Sequence, residues 1–306
     1  MTTLVFGHRA PDTDSTGAPI AWAWYLGTQG EEAEAVLLGE PNTEAAFVLE
    51  RWKLDRPRII DDVEADQRVV IVDTNNPAEL PKSLGEADVC AIIDHHKLAG
   101  GIETKRPIDI TIKPLACTAT VMAGLMGDEA VDGAPEHIRG AMLSCILSDT
   151  LEFRSPTTTD TDRALAERLA DGLGVSIPDL AAEMFKAKSD VSRFSEAELL
   201  RMDSKEYAVE GTKFRVSVLE TTAPEVVLDR KQAIMDAMPK VAEEDGVTGV
   251  LLFVVDILRE EATLLVPDTL TKAVAEASFG ATVDGDSVVL PGVMSRKKQI
   301  IPALKL

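Results

Sequence analysis

The chain is poor in the features that most often announce a macromolecular partner. Cysteine occurs three times in 306 residues. Cys90, Cys117 and Cys145 are widely spaced, odd in number and set among apolar neighbours. They read as reduced core thiols and not as a disulfide framework or a zinc knuckle. Aromatic residues make up 4% of the chain, too few for a base-stacking platform. Positive charge is also scarce: 31 Lys and Arg stand against 52 Asp and Glu. The resulting formal charge of −21 argues against binding nucleic acid or an anionic membrane. No apolar run approaches the roughly 20 residues of a membrane span. Met1-Thr2-Thr3 enters the first apolar run with no basic or cleavable leader, so a cytoplasmic location is expected.

What is present is an ordinary core-forming composition, 45% hydrophobic, in a chain long enough for two domains. Short Val-, Ile- and Leu-rich runs at residues 3–6, 35–38, 69–72 and 90–93 predict strands. Helical patterns fall at 15–26, 43–53, 118–126, 135–147, 160–173 and 177–188. Strands alternating with helices imply an α/β domain over residues 1–188, with a mostly parallel open sheet flanked by helices. Small and polar residues at 189–194 suggest a linker. Residues 195–306 then read as a smaller α+β domain. A hairpin turns at Glu210-Gly211, a helix covers 227–244, strands follow at 249–255 and 261–266, and a further helix lies near 270–277.

The acids and histidines sit at the ends of the predicted strands. The first strand runs into "GHRAPDTDS", which holds His8, Asp12 and Asp14; the third ends on Asp73, and the fourth on Asp94-His95-His96. Taken singly, each has a bland explanation. Asp73 could cap a helix or form a turn, Ser15 could cap the next helix with the aspartates complementing its dipole, and paired histidines are often surface residues. Taken together they converge, because ligands of open α/β sheets bind outside the carboxyl ends of the strands. Oxygen and imidazole donors without thiolate suit Mn²⁺, Co²⁺ or Mg²⁺ better than structural zinc, and so many donors suggest two ions.

Five segments, "GHRAPDTDS", "VDTNN", "IDHHK", "LSDTLEFRSPTTT" and "SRKKQIIP", run in order from Gly7 to Pro302. Together they resemble the family II, manganese-dependent inorganic pyrophosphatases of the DHH phosphoesterase superfamily. The resemblance implies a DHH domain followed by a smaller domain that closes over pyrophosphate, and a homodimer formed through the N-terminal domain. It implies that His8 and Asp12 hold one Mn²⁺, that Asp14, His95 and Asp149 hold the other, and that Asp73 bridges them. Asp94 would orient a histidine from behind. His96, Lys205, Arg296 and Lys297 would bind the substrate, and Mg²⁺ would accompany it. Co²⁺ is an alternative occupant. The His-Asn that usually follows the bridging aspartate is replaced here by Thr74-Asn75.

The implied reaction is hydrolysis of pyrophosphate to two phosphates by a hydroxide bridging two metals in an interdomain cleft. Charge arithmetic agrees, since two divalent ions balance Asp12, Asp14, Asp73 and Asp149, and the cations of "SRKKQ" face a tetravalent anion. Residues 300–304 look packed, which fixes that run on a firm element. Thr159 and Asp162 read as a structural capping box. Two alternatives carry other signatures. An oligonucleotide phosphodiesterase of the DHH type has a C-terminal histidine motif, whereas the last histidine here is His137. A catalytically inactive nucleotide-binding regulator would show a broken ligand set, and here every position is filled.

Overall fold

The computed structural model describes residues 2–306 and divides into two units, Met1–Ala187 and Lys188–Leu306. In the first unit, β1 (Thr3–Phe6), β2 (Ala33–Ala35), β3 (Arg68–Val72), β4 (Asp88–Asp94) and β5 (Asp109–Ile112) make one parallel sheet in the order β2-β1-β3-β4-β5. Its helices are α1 (Thr13–Thr28), α2 (Thr43–Arg51), α3 (Thr118–Met126), α4 (Asp128–Asp132), α5 (Glu136–Thr150), α6 (Asp160–Leu173) and α7 (Ile177–Lys188). All of β1 and the last four residues of β3 are buried, which explains why both read as unbroken apolar runs and not as alternating ones. The chain order reverses direction between β1 and β3, the switch point at which a crevice opens beyond the strand ends.

Three differences from the expected elements have local causes. Asp12, not Ser15, caps α1: its carboxylate accepts from the Ser15 amide at 3.0 Å, and the helix begins at Thr13. Val36, Leu37 and Leu38 are buried, and the Val36 amide still donates to the Val5 carbonyl at 2.9 Å, but beyond it only an isolated bridge from Leu37 to Ile59 remains, so the second strand ends at Ala35. Strand β5 was not anticipated because an edge strand needs little apolar content; Ile110 there is 57% exposed.

Two close approaches shape the crevice. A Cβ on Gly7 would lie 1.9 Å from Ser15 Oγ, the atom that accepts from the His8 amide at 2.7 Å. A Cβ on Gly17 would lie 2.4 Å from Cys145 Sγ, so glycine lets α1 press against α5.

The second unit is built on a mixed sheet ordered β10-β9-β8-β7-β6. Its strands are β6 (Ser204–Val209), β7 (Thr212–Thr221), β8 (Gly249–Asp256), β9 (Glu261–Leu265) and β10 (Ser287–Pro291), and only β7 and β8 run parallel. The helix expected at 227–244 is split into α9 (Glu225–Leu228) and α10 (Lys231–Asp245), and α8 (Glu196–Arg201) and α11 (Thr269–Phe279) complete the main elements. Strand β8 is buried along nearly its whole length between two apolar clusters, one around Phe214, Phe253 and Leu264, the other around Leu200, Ile234 and Leu252. Residues 189–194 form neither helix nor strand, yet they pack on this unit. Ser189 Oγ accepts from Thr221 Oγ1 at 2.7 Å, and Val191 joins the second cluster. No helix among the described residues is long and apolar enough to cross a membrane.

Asp245, at the end of α10, ties this unit together electrostatically. It accepts from Arg215 Nε at 2.6 Å and Arg201 Nη2 at 3.0 Å, with Asp245 and Arg215 only 14% and 13% exposed. The Arg201 bond, aided by Arg215 against the cost of burial, holds the Asp245 carboxyl below the usual carboxylate range. A lowered folded pKa means that the stabilisation is present above the unfolded value and is lost as pH falls through the folded one. Asp245→Asn is therefore expected to lose on the order of 1–2 kcal/mol at neutral pH, less than a fully buried pair because Arg201 is partly open to solvent. In urea titrations the gap between wild type and variant should shrink as pH drops below about 3.9. A gap that persists unchanged in acid would assign the effect to packing instead.

Candidate metal centre

Three strand ends place their side chains around one carboxylate. Asp73 follows β3 with φ at 58°, a left-handed conformation that aspartate tolerates better than most residues, and its side chain is 2% exposed. Its Oδ2 lies 3.6 Å from His8 Nε2, which is itself 3.7 Å from Asp12 Oδ2. Its Oδ1 lies 3.4 Å from His95 Nε2 and 3.8 Å from His96 Nδ1. Each oxygen of Asp73 thus faces a different histidine cluster. His8, Asp12 and Asp73 form one group able to hold a metal ion, and Asp73, His95 and His96 form another.

A third group lies deeper. Asp14 in the first turn of α1 and Asp149 in the last turn of α5 offer carboxylate oxygens within 4.8 Å of one another and of the Cys117 thiol. Asp14 Oδ2 accepts from the Thr118 amide at 2.7 Å. Asp14 Oδ1 and Asp149 Oδ2 are buried and accept from no protein donor. A carboxylate near the C-terminus of a helix also opposes the helix dipole.

The electrostatics of these acids are unfavourable as they stand. Burial, then the charges of Asp14 and Asp12, push the Asp73 carboxyl well above its ordinary range despite His8 and His96 nearby. Burial, then Asp14 and Asp73, do the same to Asp149. For His8, burial works against the protonated form, but Asp12 and Asp73 outweigh it and raise its pKa. Orphaned buried oxygens, crowded carboxylates and imidazole donors are what a divalent cation relieves, so the residues present fit an oxygen- and nitrogen-coordinated metal.

Asp94, fully buried, stands behind this group. It accepts from the His95 and His96 amides at 2.7 and 3.0 Å, from His96 Nδ1 at 2.9 Å and from Asn75 Nδ2 at 2.5 Å. Burial pushes its carboxyl up, but the His96 bonds and Asn75 hold it below the usual range; in return Asp94 raises the pKa of His96. Asp94 thus orients the histidine pair, while His95 Nδ1 is anchored separately, 3.2 Å from the Leu115 carbonyl. The atypical Thr74 is buried and donates to Glu79 Oε2 at 2.7 Å.

Sequence reasoning missed Thr118. Its hydroxyl donates to Asp73 Oδ1 at 3.1 Å while its amide serves Asp14, so one residue at the start of α3 fixes acids of two groups. Only its place as the first residue of a helix could have suggested this. Cys117 is a buried free thiol, as the composition suggested, and burial together with Asp14 and Asp149 pushes its pKa well up, away from thiolate. The capping box of Thr159 and Asp162 is present, and Asp162 Oδ2 also accepts from the Ala116 amide at 3.1 Å, steadying the turn before Thr118.

The remaining candidates, Lys205, Arg296 and Lys297, belong to the second unit. Lys205 is exposed on β6 and Lys297 on a π-helical turn, Arg296–Ile300. That turn is fixed: Gln299 accepts from the Met294 and Ser295 amides, both at 2.9 Å, and Ile300 is fully buried. Arg296 Nη1 bonds the Asp203 carbonyl at 2.7 Å and its carboxylate at 2.8 Å, which brings the turn beside the chain two residues before Lys205.

Comparison with known proteins identifies the family. The N-terminal domain of the DHH family matches residues 2–149, and the DHHA2 domain matches residues 182–306. A Deinococcus radiodurans protein named as a manganese-dependent inorganic pyrophosphatase is 42% identical, over 98% of this chain and 97% of its own. A Shouchella clausii protein of the same name is 36% identical, over 99% and 96%. Among solved structures, a Methanococcus jannaschii protein described as a family II inorganic pyrophosphatase is 33% identical and superposes with a TM-score of 0.62, covering 98% of this chain and 97% of its own. The chain belongs to the family of manganese-dependent inorganic pyrophosphatases, with a DHH domain followed by a DHHA2 domain.

Proposed function

We propose that the protein hydrolyses inorganic pyrophosphate to two phosphates with two Mn²⁺ ions, His8 and Asp12 holding one, Asp14, His95 and Asp149 the other, and Asp73 serving both. The observation that carries this reading is Asp73 itself, a buried carboxylate whose two oxygens face separate histidine clusters. Bound divalent ions supply acidified water at neutral pH and draw charge from phosphoryl oxygens.

The protein's own side chains account for the rest. Asp94 holds the proton of His96 at Nδ1 and raises its pKa, so a half-exposed His96 can carry a second proton for a phosphoryl oxygen. Asp94 also keeps the backbone of His95 and His96 in place. Lys205, Arg296 and Lys297 bind phosphoryl oxygens, Arg296 through its planar fork and the lysines as point charges. No covalent nucleophile is required, because phosphoryl transfer is chiefly a matter of positioning and charge stabilisation. On this reading Mg²⁺ accompanies the substrate, Co²⁺ is an alternative occupant, and the protein is a cytoplasmic homodimer that acts on neither nucleic acid nor membrane.

The test is phosphate release from pyrophosphate by chelator-stripped protein. Mg²⁺ alone should give little, and added Mn²⁺ should restore turnover. No release under either condition, from protein that remains folded by circular dichroism, would sink the proposal.

A further inference from the structure

Outside the candidate metal ligands and Asp94, two carboxylates among the described residues are 0% exposed: Asp162, in the capping box of α6, and Glu44, in the first turn of α2. A glutamate at a helix N-terminus complements the dipole, but that role needs no burial. Removing a carboxylate from water is costly unless donors replace the solvent, and here two hydroxyls do so on the same oxygen. Thr13 Oγ1 donates to Glu44 Oε2 at 2.9 Å, and Ser148 Oγ donates to it at 2.7 Å.

The positions of those donors give the contact its meaning. Thr13 lies between Asp12 and Asp14, and Ser148 immediately precedes Asp149. One oxygen of Glu44 therefore ties the start of α1, where two candidate ligands lie, to the helix end that carries a third. A second tie runs alongside, with Cys145 Sγ 3.4 Å from the Thr13 carbonyl. Asp14 and Asp149 offer oxygens within 4.8 Å of each other, and no protein donor fills the buried oxygens Oδ1 of Asp14 and Oδ2 of Asp149, so their spacing depends on how the start of α1 is held against the end of α5.

We propose that Glu44 is a positioning residue: by bridging Thr13 and Ser148 it sets the spacing of Asp14 and Asp149, and so the affinity of the cation they hold. The inference rests on the two-metal reading above. Glu44 touches neither substrate nor metal; it acts through two hydroxyls.

The test is titration of chelator-stripped protein with Mn²⁺ alone, following free Mn²⁺ by its paramagnetic resonance signal. Wild type should bind two ions. Glu44→Ala should weaken one of the two about 10–100-fold, the range for partners behind a metal ligand. Glu44→Gln keeps an acceptor oxygen in reach of both hydroxyls and should recover most of that loss, a rescue that a merely volumetric role would not distinguish from other fillers. Ser148→Ala should weaken the same ion by a smaller factor. The double variant Glu44→Ala, Ser148→Ala should be no worse than Glu44→Ala, because both break one link.

Two ions bound at wild-type affinity by folded Glu44→Ala would overturn the inference, and so would losses that simply multiply in the double variant. Should Glu44→Ala fail to fold, Ser148→Ala decides: an unchanged Mn²⁺ isotherm with unchanged circular dichroism overturns the inference. Absence of Mn²⁺ binding by wild type is a different outcome, which would remove the two-metal reading and this inference with it.

Discussion

Asp73→Asn is expected to cut pyrophosphate hydrolysis by at least about a thousandfold while making the metal-free protein more stable. The loss follows from the placement of Asp73, whose two oxygens face two clusters, so that neutralising it would disturb both of the proposed ions at once. A bound metal contributes several kcal/mol of charge stabilisation in the transition state, and about 4 kcal/mol is already a factor of roughly a thousand. The gain follows from the same geometry without metal. Burial and the charges of Asp14 and Asp12 outweigh the favourable histidines, so the ionised Asp73 costs folding energy.

Asparagine removes that charge, keeps an oxygen for the Thr118 hydroxyl and tolerates the left-handed backbone at φ 58°. Alanine would add backbone strain and confuse the comparison. We expect stabilisation on the order of 1–2 kcal/mol, or about 2–8 °C in thermal midpoint for a unit of this size. Phosphate release and a melt in chelator measure the two effects separately. Hydrolysis within about tenfold of wild type would show that Asp73 is not the shared ligand, and a lowered apo midpoint would show that its charge is already compensated.

Such a trade-off is also what made the site legible. A parallel sheet can be read from apolar runs because strands buried on both faces carry no polar alternation, and β1, β3 and β4 appeared close to their actual spans. His8, Asp73 and His95 then follow from knowing which end of such a sheet binds ligands. Asp149 did not follow. It lies on a helix far along the chain, and only the α1–α5 contact, which depends on Gly17 meeting Cys145, brings it beside Asp14. Contacts of that kind leave no periodic trace.

Thr118 and Glu44 were invisible for a related reason. Each acts through a hydrogen bond to a residue distant in sequence, Thr118 to Asp14 and Asp73, Glu44 to Ser148. In the sequence a threonine at the start of a helix and a glutamate in a first turn are what helix-end and dipole preferences already explain. The edge strand β5 and the shortened β2 escaped notice because their pairing, not their composition, defines them. The segment at 189–194 looked like a connector by composition, yet Ser189 and Val191 are held by the second unit's core.

Metal binding should also be readable in the first unit without any assay of turnover. The chain has three tryptophans, Trp22, Trp24 and Trp52, and all lie in that unit, as do all the candidate ligands. Trp52 is coupled to the site through one helix: its indole donates to Ser144 Oγ at 2.9 Å on α5, whose last turn carries Asp149. A ligand that binds only the folded state adds about 2.7 kcal/mol at a hundred times its dissociation constant. Two such ions add roughly 5 kcal/mol, which corresponds to about 10–20 °C for a unit of this size. Tryptophan fluorescence melts of stripped protein, with and without Mn²⁺, should show a shift of that order. In Asp73→Asn, which starts from a higher apo midpoint, the shift should largely disappear, so the two melting curves cross as Mn²⁺ is added: the variant is the more stable protein in chelator and the less stable one in metal. An equal shift in both proteins would place the stabilising ion elsewhere than around Asp73. No shift in wild type would leave the crowded carboxylates of this unit without the cation that their burial calls for.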